Sequence, residues 1–523
     1  MEHHRKVSKA AGTVGSMTLL SRVFGFIRDM VIASMLGSSA AADAFFVAFR
    51  IPNMQRRLLA EGAVSAAFIP VFSEYSNNRG EKAAWTLAAN LLNILLIVLT
   101  VATVMIAVFA PAVITFFAPG FIDDPEKFDL TVSLTRFMAP YLMFIGVSAF
   151  CMGVLNAYNK FALSAAAPAL LNISMITGGL VIAPNLDQPV YGIAIGVLIG
   201  GALQFAVQLP ATFQLGLKLK KSVSWRHPGV RKIGRLMVPA ILGLAVYEIN
   251  LMVDTLLASL LPDGSISYLY YANRVVQLPL GVFGVALSIA ILPMLSEQAA
   301  RKQITELRST ISFGIRLILF ITIPATAGLI LLRTSIINTL FERGEFLPAA
   351  TQGTAVALLY YSIGLCAFAG AKVIVSAFYS LQDTKTPMKV GIFSMLLNIV
   401  LNLILMGPLQ HGGLALATSI AAIVNVFILL YFLKKKLGRI GGNKIIASVG
   451  KLCVASIAMS IVVYYCNEFW FDPSGPFFIK SLQLLSCIAM GVMTFGLASR
   501  FMNNEELTFL MSMRKGKKIP KAE

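Results

Sequence analysis

Five arginines, Arg22, Arg28, Arg50, Arg56 and Arg57, fall with Ser21, Asp29, Asp43 and Glu61 inside one stretch, Ser21 to Tyr75, of a chain that otherwise reads as apolar segments in series. A charge at membrane depth costs about 2.5–3.5 kcal/mol on insertion scales, so it is kept mainly where a hydrated path or a charged ligand compensates it. Arginine is a planar donor fork suited to phosphate and stays protonated under any physiological condition. An arginine excess here points to an anionic, phosphate-bearing ligand. The competing reading is that the arginines pair with Asp29, Asp43 and Glu61 to lock helices together. That reading holds for any single arginine better than for the group, since the cations outnumber the carboxylates.

The positions can be placed on helices. Arg22 and Arg28 are six residues apart, about 240° around a straight helix, and Gly25 between them offers a bend that brings them closer. Pro52 interrupts the backbone ladder of the next helix, and Arg57 and Glu61 sit at the spacing that lets opposite charges neutralise. The second half of the chain carries fewer charges: Glu248, Asp254, Arg274 and Lys372. Asp254, Asn398, Asn402 and Thr418 are all oxygen-bearing and suit a hard monovalent cation such as Na+ if their helices meet. Hydrogen bonding between helices explains the same residues at least as well.

Motifs for covalent chemistry are sparse. The four histidines show no metal spacing, and neither a phosphate-binding G-x-x-x-x-G-K-[ST] loop nor a G-x-S-x-G turn occurs. The sequence is not that of an enzyme or an ATP-driven pump, and no cofactor is expected beyond coupling to a cation or to the membrane potential. Five cysteines, Cys151, Cys366, Cys453, Cys466 and Cys487, are scattered through apolar runs and read as small buried hydrophobes.

The elements that must position these residues follow from composition. Of 523 residues, 57% are hydrophobic and 13% charged, with mean hydropathy +0.78, which excludes a soluble globular domain. With about 20 apolar residues per span, the chain divides into about fourteen helices, near 10–36, 41–74, 83–110, 131–156, 162–183, 191–217, 231–261, 267–298, 309–332, 354–379, 388–407, 412–435, 444–467 and 477–502. Lysine and arginine collect in every second loop and in the tail RKGKKIPK, while the intervening loops are acidic or nearly neutral. That alternation puts both termini in the cytoplasm, and it assigns the +19 formal charge to orientation and anionic lipid rather than to nucleic acid.

Ala63 to Glu74, AVSAAFIPVFSE, and Ala286 to Glu297, ALSIAILPMLSE, match at six of twelve positions. The repeat pairs loops of the same sidedness, so the expected fold is an all-α polytopic membrane protein of two pseudo-symmetric lobes. The lobes are 1–217 and 218–436, and a helix pair with a basic tail, 437–523, falls outside the repeat. Two lobes about a central cavity form the plan of an alternating-access transporter.

The runs S-R-x-x-G-F-x-R-D (Ser21 to Asp29), D-A-F-F-V-A-F-R-I-P-N (Asp43 to Asn53), R-R-x-x-A-E-G-A (Arg56 to Ala63) and Y-A-N-R-V-V-Q-L-P-L-G-V-F-G-V-A (Tyr271 to Ala286) closely resemble the MurJ (MviN) family of lipid II flippases. The later helices by themselves resemble only the wider superfamily of polysaccharide and multidrug exporters. The resemblance implies a bacterial cytoplasmic-membrane protein that moves lipid II, with membrane lipids and cell-wall synthesis or division proteins as its other partners. It makes Arg22, Arg28, Arg56 and Arg274 substrate-binding cavity residues, with Asp29 and Asp43 near them. Ser21 and Arg57 support them, and Glu61 gates the first lobe. The last two helices would form a groove for a polyprenyl tail. Asn273, Gln277 and Asn402 depart from the carboxylates some relatives carry there, so any charge-coupled role for these positions is open.

Overall fold

A computed structural model describes residues 2–58, 65–218 and 223–514. Every regular element among them is a helix, as expected where lipid offers the backbone no hydrogen-bond partner. Nine helices are long and apolar enough to cross a membrane, or eleven if two bent pairs count as spans, among the described residues.

The chain packs as two compact units, the first comprising Met1–Ser267 with Arg343–Phe346, the second Tyr268–Glu342 with Leu347–Glu523. In the first unit the helices are α1 (Glu2–Leu36), α2 (Ala40–Arg56), α3 (Ser65–Arg79), α4 (Glu81–Val108), α5 (Ala110–Phe117), α6 (Pro125–Met138), α7 (Tyr141–Ala157), α8 (Phe161–Thr177), α9 (Pro189–Gln214) and α10 (Pro228–Ser259). Close approach of α9 to α8 depends on missing side chains, because a Cβ on Gly196 would lie 2.6 Å from the Ser174 carbonyl oxygen, and one on Gly200 2.8 Å from the Leu171 Cα. Small residues at this spacing are the usual means of tight helix contact in lipid. Phe68, Phe72, Leu87 and Phe150 build the core between α3, α4 and α7. Packing places α10 against α3 in this unit; the expected lobe division at 217 rests on the internal repeat rather than on packing.

Four residues, Arg343–Phe346, come from the far part of the chain yet dock in the first unit. Glu345 donates its backbone N–H to the Ser34 carbonyl at 2.9 Å. Glycine is required on both sides: Gly37 (φ +58) and Gly344 (φ +56) have left-handed backbones, and a Cβ on either would come 2.2 Å from the opposing carbonyl oxygen of Glu345 or Ser34.

The second unit contains most of α11 (Ser265–Pro279) and then α12 (Val285–Ala300), α13 (Ile304–Leu331), α14 (Arg333–Phe341), α15 (Pro348–Ile363), α16 (Leu365–Ser380), α17 (Lys385–Leu437), α18 (Gly442–Trp470), α19 (Phe477–Phe501) and α20 (Glu505–Arg514). Leu295, Ile311, Ile318, Val373, Phe378 and Leu433 lie in its core. The 53-residue α17 is two helices joined at Gln410 (φ 49, ψ −132), in agreement with the separate segments expected at 388–407 and 412–435. The hairpin α18–α19 lies against α13. Arg316 of α13 ties α20 down through ion pairs of 2.7 Å to both Glu505 and Glu506.

Of the single helix expected over 41–74, the structure describes α2 to Arg56 and α3 from Ser65, and residues 59–64 lie outside the described residues. The short helices α5, α14 and α20 were not expected. They follow breaks at Phe109 and Leu332 and the turn after Phe501, where sequences remain too apolar or too short for hydropathy to separate them.

Candidate functional site

The first unit brings arginines from α1 and α2 together with acceptors from α8 and α10. Arg28 is 7% exposed. Its Nε and Nη2 donate to Asp29 Oδ1 at 3.0 and 2.7 Å, and its Nη1 donates to Asn172 Oδ1 at 3.0 Å. Asn172 turns its Nδ2 to the Ser21 carbonyl oxygen at 3.0 Å, so one α8 amide bridges two turns of α1. Gly25 lies beside this amide, and a Cβ there would stand 3.4 Å from Asn172 Nδ2, an ordinary contact distance. α1 is continuous from Glu2 to Leu36 through Gly25.

Arg22 differs from Arg28 in kind. It is exposed and has no hydrogen bond or ion pair among the described residues, which leaves its donors open to a ligand. On α2, Arg50 donates to the Leu251 carbonyl at 2.9 Å, and the half-buried Arg56 uses Nε on Asn53 Oδ1 at 3.0 Å. Arg57 pairs with Glu248 of α10 at 3.2 Å, and its guanidinium carbon lies 6.0 Å from the Tyr247 ring centre. Its expected partner Glu61 lies outside the described residues.

Asp43 is not with the arginines, contrary to the expectation for it. It begins α2, whose N-cap is Ser39, and is 1% exposed. Its carboxylate accepts from the backbone N–H groups of Gly264 at 2.8 Å and Ser267 at 2.9 Å and from Ser267 Oγ at 2.6 Å. Lys127 supplies the counter-charge, 3.3 Å from Asp43 and 2.5 Å from Asp263, with its ammonium 4.1 Å from the Phe121 ring centre. In the sequence Lys127 reads as one cation in an acidic loop. Its burial follows from Asp124 capping α6 through the Lys127 backbone N–H, which fixes the first turn on which the side chain stands.

Arg274 belongs to the second unit. Its Nη2 donates to Tyr270 Oη at 2.8 Å, one turn earlier on α11, and its guanidinium carbon is 4.8 Å from that ring's centre. Gln277 donates to Asn273 on the same helix, an amide pair where the resemblance allows carboxylates. Of the proposed cation ligands, three meet: Asn402 Nδ2 donates to Asn398 Oδ1 at 3.1 Å, and Asn398 Nδ2 to Thr418 Oγ1 at 3.3 Å. They lie on either side of the Gln410 turn. Asp254 belongs to the first unit, where its carboxylate accepts from Asn250 Nδ2 at 3.4 Å. Among the described residues no group of three or more His, Cys, Asp and Glu could hold a metal ion.

The cysteines are not uniformly the buried hydrophobes expected. Cys151 and Cys487 are buried, Cys366 and Cys466 half-buried, and Cys453 exposed.

A family model described as lipid II flippase MurJ matches residues 32–501. The probable lipid II flippase MurJ of Vibrio cholerae is 41% identical over 432 residues, 81% of this chain and 82% of that one. The lipid II flippase MurJ of Burkholderia cenocepacia is 37% identical over 432 residues, 82% of this chain and 84% of that one. A solved lipid II flippase MurJ in an inward closed conformation superposes with TM-score 0.79 at 28% identity, covering 94% of this chain and 99% of the other. An inward-facing multidrug resistance MATE family transporter of the MOP superfamily, at 16% identity and TM-score 0.68 over 82% of this chain and 98% of its own, shares the fold alone. A chain matched by this family model over most of its length, and by relatives at such identity, belongs to the lipid II flippase MurJ family.

Proposed function

We propose that the protein translocates lipid II, the polyprenyl-pyrophosphate-linked peptidoglycan precursor, from the inner to the outer leaflet of the bacterial cytoplasmic membrane by alternating access. The observation that carries this reading beyond family membership is the unequal state of the arginines in the first unit. Arg28 is held by Asp29 and Asn172, whereas Arg22 is exposed with its donors uncommitted among the described residues. A pyrophosphate takes bidentate bonds from such forks. Arg22, Arg28 and Arg56 of the first unit would bind it in a hydrated cavity, supported by Ser21, Asp29 and Arg57; Arg274 of the second unit would be a further substrate-binding residue, and the tail would stay in lipid along α18 and α19.

Asp43 and Glu61 would bias the two lobe arrangements. The reaction is transport, with no bond made or broken, and both termini lie in the cytoplasm by the distribution of lysine and arginine. Asn398, Asn402 and Thr418, which meet in the second unit, would take up a monovalent cation, and the gradient of that cation or the membrane potential would drive reorientation. Lipid II is the substrate; cell-wall synthesis or division proteins are further partners in this reading, and nucleic acid is not.

Depletion of the protein in cells, followed by an assay of which leaflet holds lipid II, is the direct test. Accumulation in the inner leaflet is the expected result. An unchanged distribution together with loss of another polyprenyl-linked oligosaccharide, or of drug efflux, would move the protein to another branch of the superfamily.

A further inference from the structure

The α18–α19 hairpin carries a pair of thiols that transport does not use. Cys466 of α18 and Cys487 of α19 face each other with their Sγ atoms 2.9 Å apart, less than 1 Å beyond the ~2.05 Å bond they would make. The approach is built into the packing. A Cβ on Gly491, one turn after Cys487, would lie 2.7 Å from Val463 Cγ2, close to one turn before Cys466, so the absent side chain brings the two helices together beside the sulfurs. Their exposure differs: Cys487 is 0% exposed and Cys466 half-buried. A reachable thiol with a shielded one in bonding range is the arrangement of an attacking and a resolving cysteine.

Cys466 stands four residues before Trp470, where α18 ends, about 6 Å along the helix axis. The following turn carries the exposed Asp472 and Ser474. In the orientation proposed above, this end of the hairpin faces the extracytoplasmic side, where disulfides form and persist.

We propose that Cys466 and Cys487 close a disulfide that staples α18 to α19, the inference resting on the cytoplasmic placement of both termini. The oxidant is a disulfide carrier of the thiol-exchange class. The Cys466 thiolate attacks one sulfur of the carrier's disulfide, forming a mixed disulfide and releasing the carrier's first thiolate. The Cys487 thiolate then attacks Cys466 Sγ, forming the Sγ–Sγ bond and expelling the carrier's second thiolate. The two protons lost by the cysteines end on the carrier's two thiols, which have taken the two electrons.

The test uses the full-length protein with Cys151, Cys366 and Cys453 changed to Ser. Cells are acid-quenched, free thiols are blocked with N-ethylmaleimide, and the protein is labelled with maleimide-polyethylene glycol before or after reduction. The expected result is two labels per chain after reduction and none before it, with no label in either state once Cys466→Ser or Cys487→Ser is added. A parallel membrane sample is oxidised with copper phenanthroline. Labels absent from cells but gained after copper treatment overturn the proposal by placing the pair on a reducing side, a failure of orientation and not of lipid II transport. Labels absent from both samples overturn the pairing itself. Complementation of a flippase-depleted strain by Cys466→Ser reads transport separately.

Discussion

Lys127 lies 3.3 Å from the Asp43 carboxylate and 2.5 Å from that of Asp263, so one buried ammonium joins the start of α2 to the turn before α11. Removing one partner of a buried pair leaves the other charge without compensation, at about 3–5 kcal/mol. Lys127→Ala should therefore lower the melting temperature of the purified protein substantially. Adding Asp43→Asn should recover part of the loss, since coupled sites depart from additivity by about 0.5–3 kcal/mol. Purely additive effects in thermal unfolding would show that the two side chains do not act on each other.

Arg22→Ala and Arg28→Ala should separate function from stability. Both should fail to support growth of a flippase-depleted strain. Arg22 is exposed and unpaired among the described residues, so its loss should change stability by no more than about 0.5 kcal/mol. Arg28 neutralises an Asp29 that is 1% exposed, and its loss should destabilise by several times as much. Arg274→Lys should restore transport only in part, because an ammonium cannot bind bidentately. Full growth with Arg22→Ala would remove that residue from the substrate site.

For the cation site, Na+ should raise the melting temperature with concentration, by about 2.7 kcal/mol of stabilisation at one hundred times its dissociation constant, while choline at equal ionic strength does not. Asn398→Ala should abolish the difference, since Asn398 touches both Asn402 and Thr418. Identical melting curves in the two salts would assign Asn398, Asn402 and Thr418 to hydrogen bonding between the two halves of α17.

Acid should weaken the protein through two carboxylates in its loops and tail. The Lys436 ammonium and the Thr386 hydroxyl hold Asp383 below its ordinary value of 3.8, and Arg316 holds Glu505 below its ordinary 4.5. A carboxylate with a depressed folded pKa stabilises the fold above its unfolded value and loses that contribution as pH falls through the folded one. The melting temperature should stay level as pH is lowered to about 5 and decline below about 4.5. Solvent screening limits each group to at most ~1 kcal/mol. Lys436→Ala should flatten the Asp383 share of that decline, and an unchanged acid profile in this variant would exclude the pair.

The helices were legible because hydropathy marks any segment long enough to cross lipid, and the gap expected between 407 and 412 falls on the turn inside α17. Side-chain partners were not. Arg57 and Glu248 are 191 residues apart, and Lys127 and Asp43 are 84 apart, so only packing reveals that they meet. The two cysteines 21 residues apart carried no spacing signal, since they face each other only through an antiparallel hairpin. Family motifs located the arginines; they did not distinguish the held Arg28 from the uncommitted Arg22.

The glycine-lined seat that receives Arg343–Phe346 has a consequence for dissection of the molecule. The first unit is not one continuous length of polypeptide, because residues from beyond position 340 complete it. A gene fragment ending at Ser267 would express a body lacking the peptide whose backbone bonds to Ser34. Two-fragment co-expression should therefore favour a split elsewhere, and a synthetic peptide spanning this loop should bind the isolated N-terminal fragment in trans.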